Sequence, residues 1–197
     1  MISLFLSRPL PLRCAGLLVL AACSSQPSGV AGLRQYVADP GHGLVQQASA
    51  NGFQATAQYL PGEYLALNEL TDDAAPAPAT LDSLTRPYRD KVYLRLALAH
   101  NGTDLERLGP QYIQYLTQGL QHDCAVVNYR HQTVKPLASL YARSYGQGAG
   151  NSLLLVFSKA DVAPEKGLTL LLNSPTLGTG PLTLRFAAPA INAIPAL

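Results

Sequence analysis

The sequence has no tryptophan, one methionine and three cysteines among 197 residues, and only 13% of its residues are charged. Hydrophobic residues make up 48% of the chain, which is too apolar for an intrinsically disordered protein and enough to bury one core. A membrane-spanning helix needs about 20 consecutive apolar residues, and Pro9, Pro11 and Arg13 interrupt the apolar N-terminal segment. The sequence therefore predicts a single globular domain without a transmembrane anchor.

The charges show no excess of either sign that would mark a polyanionic partner. The chain has 14 Lys and Arg residues and 12 Asp and Glu residues, and removal of the first 22 residues would take away Arg8 and Arg13 and leave 12 of each. Lys and Arg are scattered along the chain, whereas nucleic-acid-binding proteins cluster them on one face. We therefore expect no nucleic-acid partner.

Several motifs that support catalysis or phosphate binding are missing. The sequence contains no Gly-Lys-Ser/Thr, no G-x-S-x-G and no H-E-x-x-H. Glycines in residues 145–152 (YGQGAGNS) are spaced like the start of a nucleotide-binding loop, but the strand-forming LLLVF of residues 153–157 follows them. A phosphate loop needs a helix at that point, so we interpret this segment as a hairpin loop.

The N-terminus, in contrast, has a recognisable organisation in three zones. Residues 1–13 contain two arginines and no acidic residue, residues 14–20 form an apolar core, and the small Ala21 and Ala22 follow. This order is typical of a secretory signal peptide.

The four residues Leu20-Ala21-Ala22-Cys23 resemble the lipobox of bacterial lipoprotein precursors. The resemblance implies transfer of diacylglycerol to the Cys23 sulfur, cleavage between Ala22 and Cys23, and acylation, for example with palmitate, of the new amine. The residue types suit this chemistry, because a thiolate takes the lipid and small side chains leave room for the peptidase. We therefore interpret residues 1–22 as a signal peptide that is removed and Cys23 as the lipidation site; the alternative is an ordinary signal peptide that ends beside a cysteine.

The residues after Cys23 bear on its location. Ser24 and Ser25 stand where, in enteric-type sorting, an aspartate favours retention in the inner membrane, so the resemblance implies the outer membrane, with the periplasmic face of the inner membrane as the alternative. Residues 24–32 (SSQPSGVAG) are small and polar. We predict a flexible tether over residues 23–32 and one β-rich domain over residues 33–190.

Period-two alternation predicts that this domain is mainly β. Leu44–Ser49 and Phe53–Leu60 flank Asn51-Gly52, the strongest local signal for a hairpin. Lys91–His100 alternates in the same way, and five further short strands are predicted, at Cys124–Arg130, Leu137–Tyr145, Ser152–Ser158, Leu168–Leu172 and Leu182–Phe186.

Two short helices are predicted between the strands, one after Pro61 and one over Gly109–Leu120, and residues 71–80 (TDDAAPAPAT) are predicted to form an exposed loop. The predicted fold is a decorated antiparallel β-sandwich, and the alternative is an α+β fold with a curved antiparallel sheet and these two helices.

Cys124 is the one cysteine that would remain unmodified in the mature chain, so no intramolecular disulfide is expected and Cys124 is predicted to be a small buried hydrophobe. A nucleophilic role would need a histidine partner, and His42, His100 and His131 are all conceivable. His122, Asp123 and Cys124 are adjacent in sequence, but the spacing of zinc ligands is absent, so neither a metal nor a cofactor is expected.

The remaining candidates for catalytic or ligand-binding residues are carboxylates and tyrosines. The acids in apparent loops include Asp104, Glu106 and Glu165, and a glycosidase would need two of them in one cleft. Ten tyrosines suit either a contact surface for a sugar or protein or the edge of a core.

Beyond the lipobox, short strands with NGF, YLPGEY and LLLVFSK look like those of uncharacterised lipoproteins of gram-negative bacteria, a resemblance that implies no known activity. We therefore expect a lipid-anchored envelope protein that binds or scaffolds an envelope protein or glycan without catalysis. The alternatives are a hydrolase that uses Cys124 or a carboxylate in a cleft, and a carbohydrate-binding module.

Overall fold

A computed structural model of the chain describes residues 29–70, 76–142 and 152–197. The predicted signal peptide, the lipobox Leu20-Ala21-Ala22-Cys23 and most of the predicted glycine loop lie outside the described residues. Ten strands are described: β1 Val45–Ala50, β2 Phe53–Leu60, β3 Lys91–His100, β4 Thr103–Asp104, β5 Cys124–Val127, β6 Thr133–Val134, β7 Ala138–Ala142, β8 Ser152–Ser158, β9 Leu168–Asn173 and β10 Pro181–Phe186.

Short helices occupy much of the chain between the strands. They are α1 Gly29–Ala38, α2 Gly62–Leu67, α3 Pro78–Thr85, α4 Leu105–Leu108, α5 Pro110–Gln114, α6 Leu120–Asp123, α7 Lys159–Val162 and α8 Ala188–Asn192. A π-helical turn, Tyr115–Gly119, joins α5 to α6, and 3₁₀ turns lie at Pro40–His42, Arg86–Tyr88 and Pro164–Lys166. None of the helices within the described ranges is long and apolar enough to cross a membrane.

The strands form two antiparallel sheets, which confirms the predicted mainly β or α+β class. The larger sheet has the order β1-β2-β3-β8-β7, with β4 paired to one end of β3, and the smaller sheet has the order β10-β9-β5-β6. Strand β10 lies beside β1, so the two sheets meet along this edge. The hairpin turn reinforces the junction, because Asn51 Nδ2 donates to the carbonyl of Gly178 at 3.2 Å.

One continuous hydrophobic cluster contains residues of both sheets and of several helices. Alternation in β2 places Phe53, Ala55, Ala57 and Tyr59 on the buried side, and the Tyr59 ring lies against the ring of Phe186 in β10, with centroids 6.4 Å apart. The smaller sheet contributes alternate residues of its central strand, Leu168, Leu170 and Leu172. Each fully buried leucine contributes about 1.5–3 kcal/mol by its removal from water.

Helices cover part of the opposite face of the larger sheet. Gln58 alternates with Tyr59 and so points to this face, where its Nε2 donates to the carbonyl of Val37 in α1 at 2.8 Å. Leu60 and its cross-strand neighbour Tyr93 lie on the same face and are buried. Helix α1 therefore lies against the outer face of the larger sheet, whereas the α5–α6 segment contacts both sheets, through Tyr115 with Ser174 and through Gln121 with Ser139.

Helix α1 begins at Gly29, inside the segment for which the sequence predicts a flexible tether, and its buried Leu33, Tyr36 and Val37 explain why it is helical. Those three positions have helical spacing, and packing supplies the stability that a short, glycine-containing helix lacks on its own. The last helix runs to Asn192, past the predicted domain end at residue 190, and buries Ile191. Helix α3 begins at Pro78, within the predicted 71–80 loop.

Candidate functional site

Cys124 is buried, as predicted from its sequence context. It opens β5 directly opposite Leu172 of β9 and is 0% exposed. Burial raises the pKa of the thiol to about 12, with the charge of Asp123 adding to the shift and that of Lys135 opposing it. A cysteine nucleophile reacts as the thiolate and must meet its substrate, so the geometry disfavours the version of the hydrolase that uses Cys124.

Two of the three histidines considered as partners of Cys124 stack on other rings, and the third lies in an exposed turn. His42 stacks on the Tyr36 ring, with centroids 3.8 Å apart, and its Nδ1 donates to the Tyr36 carbonyl at 2.9 Å. His100 stacks on Phe53, and His131 lies in the exposed turn after β5. Within the described ranges, no group of three or more His, Cys, Asp or Glu residues could hold a metal ion.

Most of the described tyrosines lie in the core or at its edge. Tyr36, Tyr59 and Tyr93 are buried, and a further set packs against the core while partly exposed: Tyr64, Tyr88, Tyr112, Tyr115 and Tyr141. Four of these hydroxyls bond to polar groups, those of Tyr36, Tyr88, Tyr115 and Tyr141; Tyr36, for example, donates to the carbonyl of Ala190 at 3.3 Å. The described residues therefore form no shared surface of exposed tyrosine rings; Tyr129, at 44% exposed, stands apart.

The structure does bring two carboxylates into one cleft, which the sequence could not show. The cleft has a volume of about 250 Å³ and lies where β2 runs into α2, against the 3₁₀ turn Pro164–Lys166 and α8. We call it the Tyr59 cleft and define it by the residues that carry its chemistry, which are Tyr59, Glu63, Arg89, Lys91, Lys159 and Glu165. A second cavity of about 450 Å³ shares Glu63, Thr85 and Arg89 with it and extends towards Leu197.

Local sequence explains how the two carboxylates are positioned. Pro61 directly precedes α2 and Pro164 is the first residue of its 3₁₀ turn, a position where the fixed proline φ is favourable. Glu63 and Glu165 therefore lie in the first turns of α2 and of the 3₁₀ turn. The segment around Tyr88 packs closely against Gly62. Position 62 therefore requires glycine, because a Cβ there would lie 2.9 Å from the Cβ of Tyr88.

The negative charges of Glu63 and Glu165 both raise the pKa of the Tyr59 hydroxyl. They add to the effect of burial, which raises this pKa most. The proton therefore stays on Tyr59, and the hydroxyl is a neutral donor or acceptor at the edge of the cleft.

The cations of the cleft differ in how firmly they are held. Arg89 donates to the carboxylate of Asp82 at 2.5 Å, and its second contact is with the hydroxyl of Thr85 at 3.3 Å. Lys91 donates to the carbonyl of Pro87 at 2.9 Å. The side-chain ammonium of Lys159 forms no hydrogen bond or ion pair with a described residue, and only the backbone of Lys159 is hydrogen-bonded, to Asp90 and Ala163. Lys159 is therefore the cation most available to a ligand.

This arrangement suits the binding of a polar ligand better than hydrolysis. Glu63 and Glu165 are exposed, whereas the general acid of a glycosidase is enclosed by apolar groups. Carboxylates and ammonium groups in one cleft instead offer charge-assisted hydrogen bonds to a ligand that has both signs of charge. The signal that could have found the site is the pair of short motifs, Pro61-Gly62-Glu63 and Pro164-Glu165, but nothing local brings them together.

Comparison of the chain with protein-family models, with curated proteins and with solved structures found no significant match.

Proposed function

We propose that this protein is a lipid-anchored module of the bacterial cell envelope that binds another envelope component without catalysing a reaction. The observation that carries the proposal is the lipobox Leu20-Ala21-Ala22-Cys23, which follows a basic stretch and an apolar core. Residues 24–28 alone separate Cys23 from α1, and a fully extended segment of that length reaches about 20 Å. A lipid on Cys23 would therefore hold the domain close to the membrane surface.

The energetics of lipid insertion favour stable attachment. Each buried methylene contributes about 0.8 kcal/mol, so a single chain binds marginally and two or more chains bind stably. Diacylglycerol on the Cys23 sulfur with an amide-linked chain, such as palmitate, exceeds that requirement.

Metabolic labelling with an alkyne fatty acid tests the lipid directly. The wild-type protein should take the label, and Cys23→Ala should lose it and be released from membranes. Cys14→Ala is the matched control, because it removes a cysteine from the signal segment and should leave labelling unchanged. Label retained by Cys23→Ala would refute lipidation at this residue.

The proposed location is the periplasmic or outer surface of the outer membrane. Density-gradient separation of the two membranes should recover the wild-type protein in the outer-membrane fraction. In a host with enteric-type sorting, Ser24→Asp should shift it to the inner membrane, whereas Ser28→Asp, farther from the lipid, should not. Recovery of the wild type in the inner membrane would overturn this location.

The Tyr59 cleft is the proposed binding site for a peptide segment of another envelope protein. A peptide has both signs of charge and both kinds of hydrogen-bonding group, which match Glu63, Glu165 and Lys159. A photo-cross-linking residue at position 159 should capture a partner in intact envelopes, and the same residue at Arg107, on α4 and outside the cleft, should not. Equal capture from both positions would contradict a specific site.

A carboxylate-based hydrolase is the second candidate, favoured by one observation: Glu63 and Glu165 line the same cleft. Such an enzyme should release a chromophore from a panel of aryl glycosides, and Glu165→Gln and Glu63→Gln should each abolish that release while binding persists. Turnover that survives both substitutions, or no turnover by the wild type, argues against this candidate.

A further inference from the structure

A separate cleft, which shares no residue with the Tyr59 cleft or with the cavity beside it, lies at one end of the smaller sheet, where β5 and β10 end and β9 begins. Its volume is about 680 Å³, within the range of ordinary ligand sites. The floor is a row of three side chains, because Val127 pairs with Thr169 and Thr169 pairs with Arg185 in the strand register. The turn after β5 forms one wall, and Lys166 and residues 187–189 complete the rim. We refer to this as the sheet-end cleft.

The charges of the sheet-end cleft are of one sign. Its charged lining residues are Lys166 and Arg185, and among its described lining residues none is Asp or Glu. The side chains of Lys166 and Arg185 are exposed and form no hydrogen bond or ion pair with another described residue. Cations that face one cavity without acidic partners favour an anionic ligand. The Tyr59 cleft differs in this respect, because it holds two carboxylates.

The turn that forms the wall is held in a defined shape by Asn128, which is buried. Its Nδ2 donates to the carbonyl of Asp161 at 2.8 Å and to Gln132 Oε1 at 3.2 Å. Its Oδ1 accepts from the backbone N–H groups of Arg130 and Gln132 at 2.9 and 3.0 Å. A turn fixed in this way loses little conformational freedom when a ligand binds.

The same turn presents an aromatic ring to solvent. Tyr129 is 44% exposed, and Arg130 fixes it, because Arg130 Nε donates to the Tyr129 hydroxyl at 2.7 Å and its guanidinium carbon lies 5.2 Å from the ring centroid. A rigid ring with two rotatable bonds offers contact area at low entropic cost. The cleft thus combines a ring, unpaired cations and the hydroxyls of Thr169 and Thr183.

We infer that the sheet-end cleft binds a segment of an acidic polysaccharide. Carboxylates of the glycan pair with Arg185 and Lys166, a sugar ring lies against Tyr129, and sugar hydroxyls bond to Thr169 and Thr183. An acidic peptide would use the cations but has no sugar face for the ring and fewer hydroxyls for the threonines. This inference is independent of the lipid on Cys23 and of the Tyr59 cleft.

Calorimetric titration of the full chain in detergent micelles tests the inference with defined probes. Short oligogalacturonates should bind, and their neutral methyl esters should bind at least tenfold more weakly, a difference of about 1.4 kcal/mol. Affinity for the acid form should fall as salt is raised.

Variants separate the two contributions to binding. The double substitution Lys166→Ala and Arg185→Ala should weaken binding of the acid form at least tenfold, and Tyr129→Leu should weaken binding of both forms several-fold. Arg107→Ala, an exposed cation outside the cleft, is the matched control and should change nothing. Unchanged thermal midpoints show that each variant is folded, which the exposure of all four side chains leads us to expect.

Three results would overturn the inference. They are failure of the wild type to bind oligogalacturonate, binding of polyglutamate as tight as that of the sugar, and equal losses from Arg107→Ala and from the cleft substitutions. In each case the lipid-labelling result on Cys23 stands unaffected, so the two proposals fail separately.

Discussion

The hydroxyl of Tyr115 should be one of the most valuable single groups for stability, and Tyr115→Phe removes it alone. Tyr115 lies in the π-helical turn and donates to the carboxylate of Asp123. Its second contact is the Ser174 hydroxyl, 2.6 Å away. Since the phenol has one proton and gives it to the carboxylate, Ser174 is the donor in this second bond. The pKa of Tyr115 fits this assignment, because burial and Asp123 raise it and Ser174 lowers it.

The expected loss of stability follows from the hydrogen bonds that Asp123 and Ser174 lose when the Tyr115 hydroxyl is removed. Ser174 is 0% exposed, so without the Tyr115 hydroxyl its proton loses an acceptor that water cannot replace, while its oxygen still accepts from the Leu177 N–H at 3.1 Å. Loss of a hydrogen bond to a charged group costs about 1.5–3 kcal/mol, and a buried hydroxyl proton without an acceptor adds about 1 kcal/mol. We expect Tyr115→Phe to lower the free energy of unfolding by about 2–4 kcal/mol.

Urea denaturation of the full chain measures this loss, and Tyr112→Phe provides the control. Tyr112 packs against the core on the same helical segment, but its hydroxyl bonds to no described residue. Its substitution should change the free energy of unfolding by less than about 0.5 kcal/mol. A change in Tyr115→Phe no larger than that of the control would refute the assigned hydrogen bonds.

Two further predictions concern the same region. Gly119→Ala should destabilise the protein by about 1–3 kcal/mol, because a Cβ at this position would lie 2.6 Å from Cδ2 of Tyr115; thermal unfolding measures the change, and an unchanged midpoint would contradict the contact. Stability should also fall as pH rises above about 9, because the unfolded Cys124 thiol ionises there while burial raises the pKa of the folded thiol to about 12. Cys124→Ala should make urea midpoints less steeply dependent on pH between 9 and 12, and an equal slope in both proteins would exclude this cause.

The elements predicted well from the sequence are those whose signals are local. Asn51 and Gly52 have φ values of 50° and 78°, the left-handed conformation that Asn-Gly adopts in a two-residue hairpin turn. The alternation of Lys91–His100 predicted β3 with its observed ends, because a strand with one well-buried face shows a clean period of two. Burial of Cys124 follows from a similar argument, because a cysteine without a disulfide partner usually behaves as a small buried hydrophobe.

The elements missed are those that depend on distant contacts. Helix α1 contains two glycines and has weak intrinsic helical propensity, so its stability comes from packing that the sequence does not display. The pairing of β3 with β8 joins segments far apart in the chain. Alternation in the sequence shows which face of a strand is buried, but not which strand pairs with it. The approach of Glu63 to Glu165 has the same origin, because two separate turns meet only after the sheets have formed.

Because Cys124 is buried, the rate at which a thiol reagent labels it reports how often the protein opens. Cys124 lies in one cross-strand row with Leu172 and Leu182, so a thiol reagent reaches it only after the smaller sheet separates at this row. In a chain with Cys14 and Cys23 replaced, the rate of labelling is the rate for an accessible thiol multiplied by the fraction of time that the sheet is open. An opening free energy of about 4.2 kcal/mol slows labelling roughly a thousandfold, so ligands of either cleft can be ranked by how far each slows the reaction.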